Sequence, residues 1–384
     1  MIIGILTQPL LNNYGGLLQN YALQQALLKL GHSPVTLDHK APDYPLWHLI
    51  LGRIKGYVMH FLDKKKYAKP KYVLSATEKD TIERNTQYFI NHCINHTAKC
   101  ERSEDYKKEV TDRGIEALVV GSDQCWRPAY NDSIEDMFLQ FTIGLPIKKR
   151  ISYAASFGTD KWEFTSEMTK TCSDLVKKFD IVTVREDSGI LLCKEHLGID
   201  AIHVVDPTML LTKEDYISLT EQNGVTESDG NLFNYILDPN NNKTSFIKMV
   251  ESSLGLKSFQ ILPTYNEDHR TKRNVKKSIE ACVYPSPFAW VRAFADSKMT
   301  IVDSFHGMVF SIIFNKPFWV IGNSERGMSR FTSLLEMFGL LDRLVDEKEL
   351  KGINILKPIE WDRVNRILEQ KRRESIYILS NALC

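Results

Sequence analysis

Short apolar runs of strand length recur along the chain, and most are followed by a loop and then a helical pattern. Ile2 to Leu6 is the first run. A loop with Pro9, Asn12, Asn13, Gly15 and Gly16 follows. Leu17, Leu18, Tyr21, Leu27 and Leu28 then fall on one side of a predicted helix that ends at Gly31. Val35 to Asp38 reads as the next strand, which completes a β-loop-α-β unit of the kind that builds parallel sheets. From about 41 to 110 the pattern blurs and reads as an insertion of helices and loops. Strands are then predicted at 115–120, 151–157, 181–186 and 201–205, with helices at 166–179 and 187–197, the second closed by Gly198.

After Asp206-Pro207 a second series begins. Its predicted strands are 232–237, 259–262, 300–303 and 318–321, and its helices 243–254, 286–297, 305–315 and 328–338. Two such series imply two doubly wound, Rossmann-like α/β domains, 1–206 and 207–358, with a cleft between them. A basic helical segment, 359–384, follows, with the option of packing back on the first domain.

Composition removes several function classes. The 384 residues carry 49 Lys plus Arg and 48 Asp plus Glu, a net charge of +1, which disfavours a nucleic-acid binder that needs a positive excess. With 43% hydrophobic residues the chain has enough apolar surface for a sizeable core. No apolar run reaches the roughly 18 residues of a spanning helix, and the first residues read as a strand rather than a signal peptide. The seven cysteines are scattered without a CxxC pair, which suggests reduced thiols in the cytoplasm and gives little support to zinc ligation. Lys64, Lys65 and Lys66 read either as a solvated face or as a surface that meets a phosphate-bearing acceptor or an anionic membrane. Arg363, Arg366, Lys371, Arg372 and Arg373 of the last helix could touch the same anionic leaflet.

In doubly wound sheets ligands sit beyond the carboxyl ends of the strands, so five strand-to-helix loops are the candidates for chemistry. Asn13-Tyr14-Gly15-Gly16 offers either a backbone that a ligand can approach or an ordinary tight turn. Asp123 follows an apolar strand and reads either as a group that orients a sugar hydroxyl or as a turn cap. Trp126 beside it either stacks on a sugar face or belongs to the core, and Cys125 reads as a small buried hydrophobe. Arg185, at another strand end, suits a carboxylate or phosphate, with a salt bridge to Glu186 or Asp187 as the alternative. In Asp303-Ser304-Phe305-His306-Gly307, Ser304 reads as an N-cap, and His306 reads either as a proton-transfer group, with Asp303 as a candidate to orient it, or as a structural histidine. Arg326, Ser329 and Arg330 surround a predicted helix start and form either a phosphate cradle or a solvated loop.

Taken in order, Gly4-Ile5-Leu6, Asn13 through Gln19, Val120-Gly121-Ser122-Asp123-Gln124, Val184 through Ser188, Asp206-Pro207-Thr208 and Thr300 through Gly307 resemble the polysaccharide pyruvyl transferase family. The resemblance implies a two-domain fold similar to GT-B glycosyltransferases. It also implies transfer of the enolpyruvyl unit of phosphoenolpyruvate onto a sugar of a cell-surface polysaccharide precursor, such as a lipid-linked oligosaccharide, with release of phosphate. Phosphoenolpyruvate would be a co-substrate, and no cofactor or metal is implied. His306 looks like the catalytic histidine, Asp123 like the acidic residue of the first domain, and Arg185 like a donor-holding arginine. Ser304, Phe305, Arg326, Ser329 and Arg330 fall on the donor side; Asn13, Tyr14, Gly15, Gly16 and Trp126 fall on the acceptor side. Where the family's stretch has arginine this chain has Ser304, with Phe305 for leucine, so either Arg326 or Arg330 substitutes or the donor is held differently. Two other readings remain open: a GT-B-like glycosyltransferase that uses the same cleft and arginines for a nucleotide-sugar, and a non-catalytic protein of a glycan-assembly complex that kept the fold.

Overall fold

The computed structural model describes residues 1–40, 72–266, 270–322 and 328–384. The first half contains β1 (Ile2–Leu6), α1 (Tyr14–Lys29), β2 (Ser33–Thr36), α2 (Ala76–Cys93), α3 (Ser103–Asp112), β3 (Ala117–Val120), β4 (Lys149–Ala155), α4 (Ser166–Val176), β5 (Ile181–Val184), α5 (Asp187–Leu192) and β6 (Ile202–His203). The second half contains α6 (Lys213–Gln222), β7 (Leu232–Tyr235), α7 (Asn241–Leu254), β8 (Ser258–Phe259), α8 (Lys272–Lys277), α9 (Pro287–Asp296), β9 (Met299–Val302), α10 (Phe305–Ile313), β10 (Phe318–Gly322), α11 (Ser329–Phe338), β11 (Leu344–Asp346) and α12 (Trp361–Leu383).

The strands form two all-parallel sheets, ordered β2-β1-β3-β4-β5-β6 and β11-β10-β9-β7-β8. Parallel sheets are covered on both faces, which is why their strands read as unbroken apolar runs; all four residues of β3 are buried. In each sheet the chain starts in the middle, moves one way and then returns to the other side. The crevices therefore open between β1 and β3 and between β7 and β9.

The expected elements fall within a few residues of those observed. Leu28 differs: it is 50% exposed, while Leu17, Leu18 and Leu27 are buried. Gly31, with φ +81°, turns the chain out of α1 into β2. α2 starts at a capping box in which Ser75 Oγ accepts from Glu78 N and the Glu78 carboxylate accepts from Ser75 N. Lys64 to Lys66 lie outside the described residues.

The sheets are joined by a continuous apolar seam. Tyr14 of α1 donates its hydroxyl to Pro285 O at 2.9 Å, and its ring lies 6.0 Å from Trp290 and 6.3 Å from Tyr235. Phe89 packs on Phe288 with ring centroids 5.1 Å apart, and Arg84 forms a forked pair with Glu280 at 2.9 and 2.6 Å. α12 crosses back to the first sheet, where Ser375 Oγ accepts from Val205 N. Its basic face is largely engaged: Arg372 donates to Met209 O and Leu211 O, Arg363 donates to Phe338 O and Gly339 O, and Lys371 and Arg373 pair with Glu374 and Glu369. Among the described residues, no helix is long and apolar enough to cross a membrane.

Candidate active site

A cavity of about 570 Å³ opens where the loops after β1 and β3 face those after β7 and β9. Asn13, Gly15 and Asp123 line its first-domain wall; Tyr235, Ser304, Phe305, His306 and Arg330 line the other. Asn13 Nδ2 donates to Asp123 Oδ2 at 3.4 Å, which ties the two first-domain loops together. Asp123 takes φ +64°, a left-handed conformation that aspartate tolerates better than most side chains.

His306 occupies the first turn of α10. Ser304 caps that helix by accepting from Gly307 N at 3.1 Å, so the helix N-terminus and its free N–H groups face the cavity. The imidazole rests against Gly15: a Cβ built there would lie 2.1 Å from His306 Nδ1, so a glycine is required by the close approach. His306 Nε2 is buried 3.6 Å from Oδ2 of Asp206, a fully buried residue in the loop after β6.

Asp206 also accepts from Arg185 Nη1 at 3.1 Å, Ser122 Oγ at 3.3 Å, and Thr208 N and Oγ1 at 3.0 and 2.7 Å. Burial works against its charge, but His306, Arg185 and the Thr208 N–H outweigh it and hold the carboxyl well below the usual carboxylate range. Sequence analysis gave Asp206 no role, although its Asp-Pro-Thr setting was visible.

The guanidinium of Arg185 lies under the cavity floor instead of on its wall. Its side chain is 1% exposed and sits among Asp206, Asp123 at 3.5 Å and Glu186 at 3.7 Å, with Phe305 4.4 Å away across its face. Burial opposes its charge, yet the three carboxylates more than offset that and raise its pKa. The cation is thus engaged in holding acidic side chains together. Arg330 lines the cavity itself, and burial together with nearby Arg185 lowers its pKa.

Several expected contacts are placed elsewhere. Trp126 is fully buried: it stacks on Phe138 at 4.7 Å and donates Nε1–H to Met137 O, so it offers no face to a sugar. Tyr130, 44% exposed on the cavity rim beneath the Arg127 guanidinium, supplies the aromatic surface there. Tyr14 belongs to the seam, and neither Gly16 nor Ser329 lines the cavity. Asp303 does not orient His306. Its oxygens accept from Leu237 N, Asp238 N and, at 2.8 Å, Lys243 Nζ. Arg326 lies outside the described residues. Cys125 is buried, with burial pushing its thiol up to about 12. No group of three or more His, Cys, Asp or Glu side chains among the described residues is placed to hold a metal ion.

Residues 13–325 match the family model described as polysaccharide pyruvyl transferase. No curated protein sequence matches the chain. Similar solved structures include a UDP-GlcNAc 2-epimerase from Neisseria meningitidis bound to UDP-GlcNAc, with TM-score 0.50 and 11% identity over 100% of this chain and 99% of that chain. A ugt transferase from Siraitia grosvenorii in complex with UDP has TM-score 0.48 and 10% identity over 98% and 95% of the two chains. MurG of Acinetobacter baumannii has TM-score 0.43 and 8% identity over 99% and 98%. At such identities the epimerase speaks for the fold alone, a GT-B-like pair of Rossmann-like sheets.

Proposed function

The chain belongs to the polysaccharide pyruvyl transferase family, and from that membership we propose that it moves the enolpyruvyl group of phosphoenolpyruvate onto two hydroxyls of one sugar in a polysaccharide precursor. The observation that carries this reading is His306, set at a helix N-terminus between Gly15 and the Asp206 carboxylate and facing a cavity that also holds Arg330.

A proton from His306 to the methylene carbon of phosphoenolpyruvate makes C2 electrophilic. One sugar hydroxyl forms a C–O bond to C2 and returns its proton to His306, which yields a phospho-ketal. The C2–O bond to phosphate then breaks, the electron pair leaves with phosphate, and the second hydroxyl closes the cyclic ketal as its proton passes to the departing phosphate. Proton transfer of this kind contributes roughly 10²–10⁴-fold in rate. Asp206, held ionised by its partners, steadies the imidazole when it carries the proton. Arg330 and the α10 N–H groups face the donor's carboxylate and phosphate. Asp123 and Asn13 hold the acceptor hydroxyls from the first domain, with Tyr130 at the rim. The scheme uses no cofactor or metal and suits a protein working in the cytoplasm.

The test is incubation with phosphoenolpyruvate and a panel of free and lipid-linked sugars, read as phosphate release and a mass gain on the sugar. The same panel with nucleotide-sugars is the control. Consumption of a nucleotide-sugar, with phosphoenolpyruvate untouched, would sink the proposal.

A further inference from the structure

The second sheet carries another cavity, larger than the first, which the pyruvyl-transfer scheme does not use. It measures about 770 Å³, within the roughly 300–1,000 Å³ typical of small-ligand sites. The two cavities lie on opposite faces of β7 and its extension. Tyr235 and Leu237 line the site with His306, while Asn234 and Ile236 line the second. Over these four residues this is the period-two alternation of a strand. The wall between them is one ion pair thick: Lys243, on the second cavity, reaches through to Asp303, on the first, at 2.8 Å.

The mixed lining suits an uncharged ligand that presents both hydroxyls and apolar C–H faces, as a sugar does. The Lys243 charge is met by Asp303, and Lys248 shares the wall with Glu251. Among the described lining residues there is thus no cationic surplus to favour a phosphate. The rest mixes amides and hydroxyls with the apolar side chains of Ile236, Ile247, Leu262 and two prolines, beside one aromatic ring, Tyr265. Among the described residues the side chains of Gln260, Thr244 and Thr264 make no hydrogen bond, so donors and acceptors of both kinds remain available. Amides and hydroxyls that both donate and accept match sugar hydroxyls, which do the same.

We propose that this cavity binds sugar units of the acceptor glycan beyond the one that receives pyruvate, the chain crossing the ridge at Leu237 to Pro239. The inference rests on the pyruvyl-transfer reading for the identity of the glycan as acceptor, but its test does not need turnover. Calorimetry and saturation-transfer NMR on the full chain would use chitotriose, mannotriose and N-acetyllactosamine as probes. N-acetylglucosamine, mannose and galactose are the monosaccharide controls. At least one oligosaccharide is expected to bind about tenfold or more tighter than its monosaccharides, the equivalent of one or two well-made hydrogen bonds. Gln260→Trp, which fills the cavity, should erase that gain. Gln260→Leu, which keeps its volume and removes the amide, should reduce it, with melting temperature as the folding control for both. No gain for any probe, or a gain that survives in folded Gln260→Trp, overturns the subsite. If phosphoenolpyruvate is never consumed while the gain appears and responds to Gln260, the pyruvyl-transfer reading fails and the glycan site stands.

Discussion

His306 Nε2 and Asp206 Oδ2 lie 3.6 Å apart across the junction of the two sheets, one residue following β9 and the other following β6. A proton-transfer group and its counter-charge are thus supplied by different halves of the chain.

Replacing His306 by Ala should lower kcat by roughly 10²–10⁴-fold while phosphoenolpyruvate still binds. Asp206 keeps Arg185, Ser122 and Thr208 as partners when the imidazole is removed, so the melting temperature should move little. Wild-type phosphate release in this variant would remove the imidazole from the chemistry.

Gly15→Ala places a methyl group where the His306 ring now sits, 2.1 Å from Nδ1. The expected result is an unchanged far-ultraviolet circular dichroism spectrum with activity at least about tenfold lower, since a small displacement of a catalytic group is costly. Full activity would show that the ring is not held where the structure has it.

Arg185→Ala should act on stability before kinetics. It leaves Asp123, Asp206 and Glu186 buried without their shared cation, at a cost of about 3–5 kcal/mol. Denaturant titration is the measurement. A stable variant with only a raised KM would instead return Arg185 to the donor site.

Arg330→Met should raise the KM for phosphoenolpyruvate by about ten- to a thousandfold, the loss of one charge-assisted contact in a cavity. Steady-state kinetics with the donor varied provide the check; an unchanged KM would exclude it.

The depressed pKa of Asp206 gives stability a defined acid limb. A carboxyl whose folded pKa lies below its unfolded value of about 3.9 contributes fully above that value and loses the contribution as pH falls through the folded pKa. Wild-type stability should therefore fall below about pH 4 on this account. Asp206→Asn, less stable at neutral pH, should lose less over that range. Parallel acid limbs in the two proteins would argue against the shift.

The alternation of strands and helices was legible because parallel strands buried on both faces spell themselves as Val- and Ile-rich runs. His306 was legible because it ends such a run. Its partner was not. Asp303 is its neighbour in sequence, but its carboxylate is taken by Lys243 and two backbone N–H groups, while Asp206, a hundred positions earlier, arrives beside the ring through the packing of two sheets. Arg185 was legible as either an anion binder or the partner of Glu186 or Asp187; the folded chain shows Glu186 beside it together with Asp206 and Asp123, which only the packing of distant loops brings there. The box Ser75 to Glu78 was readable in advance, and α2 could have been placed by it.

The seam of Tyr14, Trp290 and Tyr235 has a consequence for inheritance. A half-gene exchanged between two such proteins would deliver one side of an aromatic contact, one side of the glycine-to-imidazole fit and one member of the carboxylate–histidine pair. Recombination near residue 206 would thus succeed only between parents whose seams already match, and the two halves must change in step.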